Sequence, residues 1–297
     1  MSNSKEIHLS IIVPVSGSGD RILDLGKWFV VQPRIKVRLI IVEDNLDYQT
    51  KIELDRQLSS FDGLVEIIRI TGSFGNPGGS RNVGIEKIKD GFVAFWDCDD
   101  MPNFSEIEEG LQHFDINEYD YLVGNFLVQD CETGKMSQNR IDVSEFANNL
   151  WKLSLEPGLW RFVFRREVLN NLRFQEISMG EDQLFLGSAI TQSSRGVFFS
   201  QNFYTYRTKL KGQLTASRSK VLMLRSAVEL IGASRVHENN LVMRHMRIRM
   251  LITLLLKGNR ESLKFAAKEL NKIAFENNQI MEILRVVFFT LYKCGPL

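Results

Sequence analysis

Four short apolar runs, residues 9–15, 38–42, 65–70 and 92–96, recur through the first hundred residues. Between them lie segments 19–31, 48–61 and 79–88, each long enough for a crossover helix. Runs of this length, bounded by glycine or polar residues, read as buried strands. Their alternation with helical segments predicts an α/β fold with a mainly parallel, doubly wound sheet flanked by helices. Ligands of such sheets gather beyond the carboxyl ends of the strands, near the point where strand order reverses. Three runs end there in informative residues: Pro14 and Val15, the pair Glu43-Asp44, and the acids Asp97, Asp99 and Asp100.

Shorter strands are predicted at 121–128, 161–164, 197–199 and 204–206, and after Gly212 only helical periodicity remains, over 220–236, 241–257, 261–277 and 279–292. The chain thus divides into a sheet domain, 1–215, and a helical appendage, 216–297. With 297 residues, 44% of them apolar, it can bury a sizeable core. The N-terminus lacks a charged region followed by an apolar one, so no signal peptide is expected. The runs 250–256 and 286–291 fall short of the roughly 20 residues that span a bilayer. Cys98, Cys131 and Cys294 are scattered, which fits a reducing, cytoplasmic compartment and neither a disulfide framework nor a thiolate zinc site. His237 and His245 read as helix-surface residues.

The net charge of +1 conceals an asymmetry. Residues 203–260 hold twelve Lys or Arg against Glu229 and Glu238, a balance of +10. An acidic body followed by a basic segment points to an anionic ligand or surface. Nucleic acid is disfavoured, because the basic stretch lacks interleaved aromatics.

Carboxylates crowded as in "WDCDD" repel one another unless a cation holds them. Mg²⁺ or Mn²⁺ suits such oxygen donors, taking one or two carboxylates with phosphates and waters. In "NPGGSRNVG", Gly78 and Gly79 permit a tight turn, Ser80 opens a helix, and Arg81 on its first turn presents paired donors suited to a diphosphate. Gly84 reads as a helix–sheet packing residue. In "SMGEDQLFL", Glu181 and Asp182 stand at the mouth of a helix, where acids also suit the dipole.

Taken in order, "IIVPVSG", "LIIVEDNLD", "NPGGSRNVGIEKIKDGFVAFWDCDD", "GED" and "YTYR" resemble the inverting, nucleotide-sugar-dependent glycosyltransferases of family 2, over about residues 8–215. The resemblance implies a GT-A fold and transfer of a sugar, from a UDP-sugar, to a hydroxyl of a glycan or lipid-diphosphate-linked glycan in bacterial surface polysaccharide synthesis. It implies nucleotide contacts from Pro14, Val15, Asp44, Arg81, Asp97, Asp99 and Arg207, and Mn²⁺ or Mg²⁺ on Asp99 and Asp100. It makes Asp182 the general base, with Glu181 orienting the acceptor. Arg207, with Lys209 or Lys211, is expected to close over the diphosphate. The family usually places Gly-Ser or Asn-Ser after two aspartates, where this chain has Glu43-Asp44-Asn45-Leu46, which bears on base preference.

Several alternatives stay open. Trp160 fits an acceptor-stacking aromatic or a core residue. The face of Arg244, Arg247 and Arg249 fits an anionic membrane, the acidic body of the same chain or a second subunit in a homodimer. A non-catalytic nucleotide-sugar or glycan-binding module on the same fold competes with the enzyme. A phosphatase of the haloacid dehalogenase type, with Asp97 as nucleophile, fits less well, since Met101 replaces its usual Thr or Val and the acids follow the fourth strand.

Overall fold

The computed structural model describes residues 6–17, 24–29, 32–114, 118–139, 142–146, 149–177, 180–192, 195–210, 228–232, 241–276 and 279–293. Its first half follows the predicted alternation. Strand β1 (His8–Ser16) leads to β2 (Lys36–Asp44), helix α1 (Tyr48–Leu58), β3 (Glu66–Gly72), α2 (Pro77–Glu86) and β4 (Phe92–Phe95). Both helices start on local signals. Asp47 accepts from the Thr50 N–H at 2.7 Å, and Asn76 accepts from the Gly79 N–H at 2.8 Å, followed at once by Pro77.

Then come β5 (Met101–Pro102), α3 (Phe104–Gln112), β6 (Tyr121–Asp130), β7 (Met136–Gln138), β8 (Phe162–Arg165), α4 (Glu181–Gln192) and β9 (Gly196–Thr208). The chain ends with α5 (Leu241–Lys257), α6 (Arg260–Asn271) and α7 (Ile280–Lys293).

The sheet runs in the order β3-β2-β1-β4-β8-β6-β9-β5, with β7 beside β6. Strands β3, β2, β1 and β4 pair in parallel, and so do β6 and β9; β8 runs antiparallel to both β4 and β6, and β5 antiparallel to β9. The expected mainly parallel sheet therefore holds, with β5, β7 and β8 running against the other strands. Strand order reverses at β1 and β4, so their carboxyl ends flank the crevice.

Side chains alternate across the sheet with period two. Ile12, Val93 and Phe95 face one core layer; Ile11, Val13, Ala94 and Trp96 face the other. Helix α2 lies so close to the first layer that a Cβ on Gly84 would stand 2.6 Å from Ile12 Cγ2, which explains the glycine as a packing residue. Ile248, Leu251, Ile273 and Val286 of the C-terminal helices share that same core. The boundary placed at 215/216 lies outside the described residues, as do most of the helix expected at 220–236 and His237.

Two expectations need correction. Within 19–31, residues 24–29 form one 3-10 turn (Leu25–Lys27) rather than part of a crossover helix. Its residues plug the sheet end: the Trp28 indole N–H donates to the Asp100 carbonyl at 3.0 Å, and the ring meets Trp96 edge-on. The separate strands expected at 197–199 and 204–206 are one strand, β9, whose partner register on β6 jumps around Asn125. The Asn125 amide donates to the Ser200 carbonyl at 3.0 Å, holding the bulged backbone in place.

Candidate active site

Strand β4 is followed by the fully buried Trp96, and Asp97, Cys98, Asp99 and Asp100 form a turn after it, with the Asp100 N–H donating to the Asp97 carbonyl at 3.2 Å. Cys98 is a core filler, as expected. The side chain of Asp97 is 31% exposed, whereas Asp99 and Asp100 are only 5% and 1% exposed. Burial, and then Asp97 and Asp99, push the Asp100 carboxyl well above the usual range, against the opposing hydrogen bonds of the Arg207 N–H and Tyr204.

Antiparallel pairing of β5 with β9 brings Tyr204 to this turn. Its hydroxyl accepts from the Asp97 N–H at 3.1 Å and bonds the Asp100 carboxyl. Its ring stacks under Trp160 at 4.6 Å, and Tyr206, two residues on along the same strand face, stacks beside it at 5.6 Å. Tyr204 was not singled out by sequence, although "YTYR" contains it. In Tyr204→Phe the stack survives and the Asp97 N–H loses its acceptor. The expected cost is about 1–3 kcal/mol, read as a lower midpoint in urea with an unchanged slope.

Arg81 joins the acid cluster to the second acidic motif. From the second turn of α2 its Nη2 donates to Asp97 at 2.9 Å and its Nη1 to Glu181 at 2.9 Å, with the guanidinium over the Phe174 ring. Burial opposes its charge, but Asp97, Glu181 and Asp182 together outweigh that and raise its proton affinity. The neighbouring Asn82 exchanges two hydrogen bonds with the Phe174 backbone, at 2.8 and 3.0 Å, and Phe174 stacks on Phe185 of α4. The S-R-N segment thus fixes both the charge bridge and the wall behind it. Asn82 and Phe174 carried no sequence signal beyond that pattern.

Helix α4 begins directly after Gly180, whose φ of +85° lets the chain turn sharply so that Glu181 and Asp182 occupy the first helical turn. The Asp182 carboxyl is pushed up to about 7, by burial first and then by Glu181, while Arg81 and the Gln183 N–H pull it down. A carboxylate poised near neutrality can both take and release a proton.

The remaining predicted residues sit as follows. Asp44, at the end of β2, is buried and accepts from the Phe74 N–H at 2.8 Å, so it also holds the turn after β3. Asn45 takes the left-handed conformation that asparagine tolerates, at φ 51°. Glu43 pairs with Arg69. Pro14 is buried, and the Val15 side chain belongs to the second core layer.

Arg207 lies behind the acids. Its N–H donates to Asp100 at 2.8 Å, and its guanidinium pairs with Asp24 and donates to the Asp99 carbonyl at 3.1 Å. Nothing in the sequence pointed to Asp24. Lys209 pairs with Asp130 and Glu132; Lys211 lies outside the described residues.

The basic face expected on α5 turns inward. Arg244 pairs with Glu282 at 2.6 Å, Arg247 is buried, and Arg249 donates to the Leu155 carbonyl and to Gln183. His245, expected at the surface, is buried against Trp151, and burial lowers its proton affinity.

Among the described residues no three His, Cys, Asp or Glu side chains converge on one point that a metal could occupy. The donor chemistry nevertheless fits a hard divalent ion held by one or two carboxylates. Asp97, Asp99 and Asp100 are oxygen donors crowded into one turn, and Arg81 donates to Asp97 there.

Comparison with known proteins bears on the family and the fold. Residues 10–180, more than half of the chain, match the model of the family described as glycosyl transferase family 2. The succinoglycan biosynthesis protein ExoO of Rhizobium meliloti is 23% identical over 76% of this chain and 66% of its own length. An uncharacterized glycosyltransferase of Haemophilus influenzae is 24% identical over 55% of this chain and 64% of its own. The matches thus span just under two thirds of these relatives. Among solved structures, residues 1–349 of TarS from S. aureus with UDP-GlcNAc align at TM-score 0.60 and 18% identity, over 86% of this chain and 78% of that one. The mannosyltransferase PcManGT of Pyrobaculum calidifontis, with GDP-Man and Mn²⁺, aligns at 0.53 and 10%, over 97% and 88%. At these identities the likeness concerns the fold, which is GT-A with C-terminal helices.

Proposed function

The chain belongs to glycosyl transferase family 2, and we propose that it transfers a sugar, with inversion, from a UDP-sugar to a hydroxyl of a glycan or lipid-linked glycan in surface polysaccharide synthesis. The observation that carries this reading is the Arg81 bridge, which ties the acids at the end of β4 to the turn that holds Asp182. The bridge supports a reading in which donor-side and acceptor-side chemistry share one wall of the crevice.

In this reading Asp182 takes the proton of the acceptor hydroxyl as its oxygen bonds the anomeric carbon. The bond from that carbon to the diphosphate breaks, and its electron pair leaves with the nucleotide. Proton transfer of this kind needs a base of matched affinity within hydrogen-bond reach. Glu181, held by Arg81, orients the acceptor and raises the proton affinity of Asp182. Asp44 and the backbone at Pro14 and Val15 face the base, and Asp97 the nucleotide. Asp99 and Asp100 are the residues assigned to a divalent cation, which would offset charge on the leaving diphosphate. Arg207 serves the diphosphate either by leaving Asp24 or by holding Asp99 and Asp100 from behind. The TarS complex with UDP-GlcNAc supports a nucleotide-sugar donor by fold.

Isothermal titration with UDP, with and without Mn²⁺, tests the donor half. Metal-dependent binding is expected in the wild type and lost in Asp99→Ala and in Asp100→Ala. Metal dependence surviving in both but lost in Asp97→Ala would move the ion to Asp97. Failure of UDP and of every other nucleotide would sink the transferase reading in favour of a non-catalytic module.

A further inference from the structure

Helices α6 and α7 each bury one side against α5, and their outer sides differ in character. On α7, Ile283, Val286 and Val287 point into the core. Met281, Leu284 and Phe288 lie roughly opposite, at about 100° per residue, and are 73%, 54% and 59% exposed. Phe275, just before α7, is 76% exposed. A helix apolar on both sides is suited to a second apolar neighbour.

Charge on the hairpin is sorted in the same way. Lys264, Lys268, Lys272 and Arg285 are exposed. Of the carboxylates, Glu269 is buried and Glu282 is turned inward to Arg244, leaving Glu261 as the exposed acid among the described side chains of α6 and α7. Acids in and cations out on α6, with an exposed Met-Leu-Phe stripe on α7, is a pattern suited to helices lying in the plane of a membrane interface. A two-fold contact between copies fits less well, because each lysine-rich rim would meet its own image. Among the described residues no helix is long and apolar enough to cross a membrane.

We propose that the α6–α7 hairpin seats on an anionic lipid surface, with Met281, Leu284 and Phe288 dipping into the interface and Lys264, Lys268 and Lys272 meeting headgroups. Such seating depends on α6 and α7 alone and is independent of the transferase reading.

Cosedimentation of the full chain with vesicles tests it, comparing phosphatidylcholine alone with a three-to-one mixture of phosphatidylcholine and phosphatidylglycerol. Binding to the mixed vesicles is expected, at least about tenfold stronger than to the neutral ones. The combined change Met281→Glu, Leu284→Glu, Phe288→Glu should abolish it. Lys264→Gln, Lys268→Gln, Lys272→Gln should weaken it about a hundredfold, from the affinity each lysine contributes near a charged bilayer. Should the triple glutamate variant fail to fold by circular dichroism, Phe288→Glu alone takes its place, with a tenfold loss expected. No wild-type binding to either vesicle, or binding unchanged by these variants, overturns the proposal. So does a dimer in light scattering that the glutamate variant dissolves without any vesicle binding, which would give the face to a second copy.

Discussion

Asp182→Asn is expected to lower kcat by about a hundred- to ten-thousandfold, while UDP affinity stays within about twofold. The amide keeps the shape of the carboxyl and its place in the first turn of α4, but it cannot accept a proton from the acceptor hydroxyl. In the wild type, with Asp182 titrating near 7, kcat/KM should rise about tenfold per pH unit below that point and level above it. The residual activity of the variant should lack this slope. A variant that keeps most of its turnover, or an unchanged pH profile, would remove Asp182 from the role of base.

The same substitution carries a stability signature of opposite sign. The folded carboxyl holds its proton to about 7, whereas in the unfolded chain an aspartate ionises near 3.9. Below the unfolded value both states are protonated and nothing is lost. As pH rises between the two values the unfolded state ionises first, so stability falls, and it goes on falling until the folded group ionises as well. Asp182→Asn removes that penalty. It should therefore melt close to wild type at pH 4 and higher than wild type at pH 8. An inactive protein that gains stability at alkaline pH separates a catalytic carboxylate from a structural one, whose loss would cost stability at every pH.

Much of this layout is written in local sequence, and what is not has a physical reason. Strands β1 to β4 and helices α1 and α2 announce themselves because apolar periodicity and the caps Asp47 and Asn76 act within a few residues. The reversed strands β5, β7 and β8 were hidden, since direction is decided by which strand a segment meets. Polar Ser200, Gln201 and Asn202 looked like a gap between strands; with Asn125 opposite, they are a bulge within one. For Arg244, Arg247 and Arg249 the sequence left a membrane, the acidic body of the same chain and a second subunit open, because their partners are distant in the chain: Arg244 meets Glu282 and Arg249 meets the Leu155 carbonyl. The acids of the site could be picked out by type and order, but not the residues that hold them. Asp24, Asn82 and Tyr204 act through contacts that only the folded chain creates.

Arg81 is the residue on which those contacts converge, and its removal should have the largest effect on folding. Arg81→Met keeps much of the packing on Phe174 but leaves Asp97 and Glu181 without their cation, beside Asp182. Breaking a buried ion pair from one side costs about 3–5 kcal/mol, a large share of the roughly 5–15 kcal/mol that holds a domain together. Arg81→Lys should rescue little, since one ammonium cannot reproduce a fork that meets two carboxylates at 2.9 Å on different elements. The deficit should depend on pH. Without the guanidinium the folded carboxyls gain proton affinity relative to the unfolded chain, so the folded variant binds more protons and its stability recovers as pH falls from 8 toward 5. Adding Glu181→Gln to Arg81→Met should likewise return part of the loss, since one of the stranded charges is gone, and the cycle of single and double variants measures that coupling. For a variant stable enough to assay, the rising limb of the kcat/KM profile should move above 7, because Arg81 is one of the groups that lowers the proton affinity of Asp182. An Arg81→Met protein with wild-type stability and an unmoved limb would show that the bridge neither holds the two motifs together nor tunes the base.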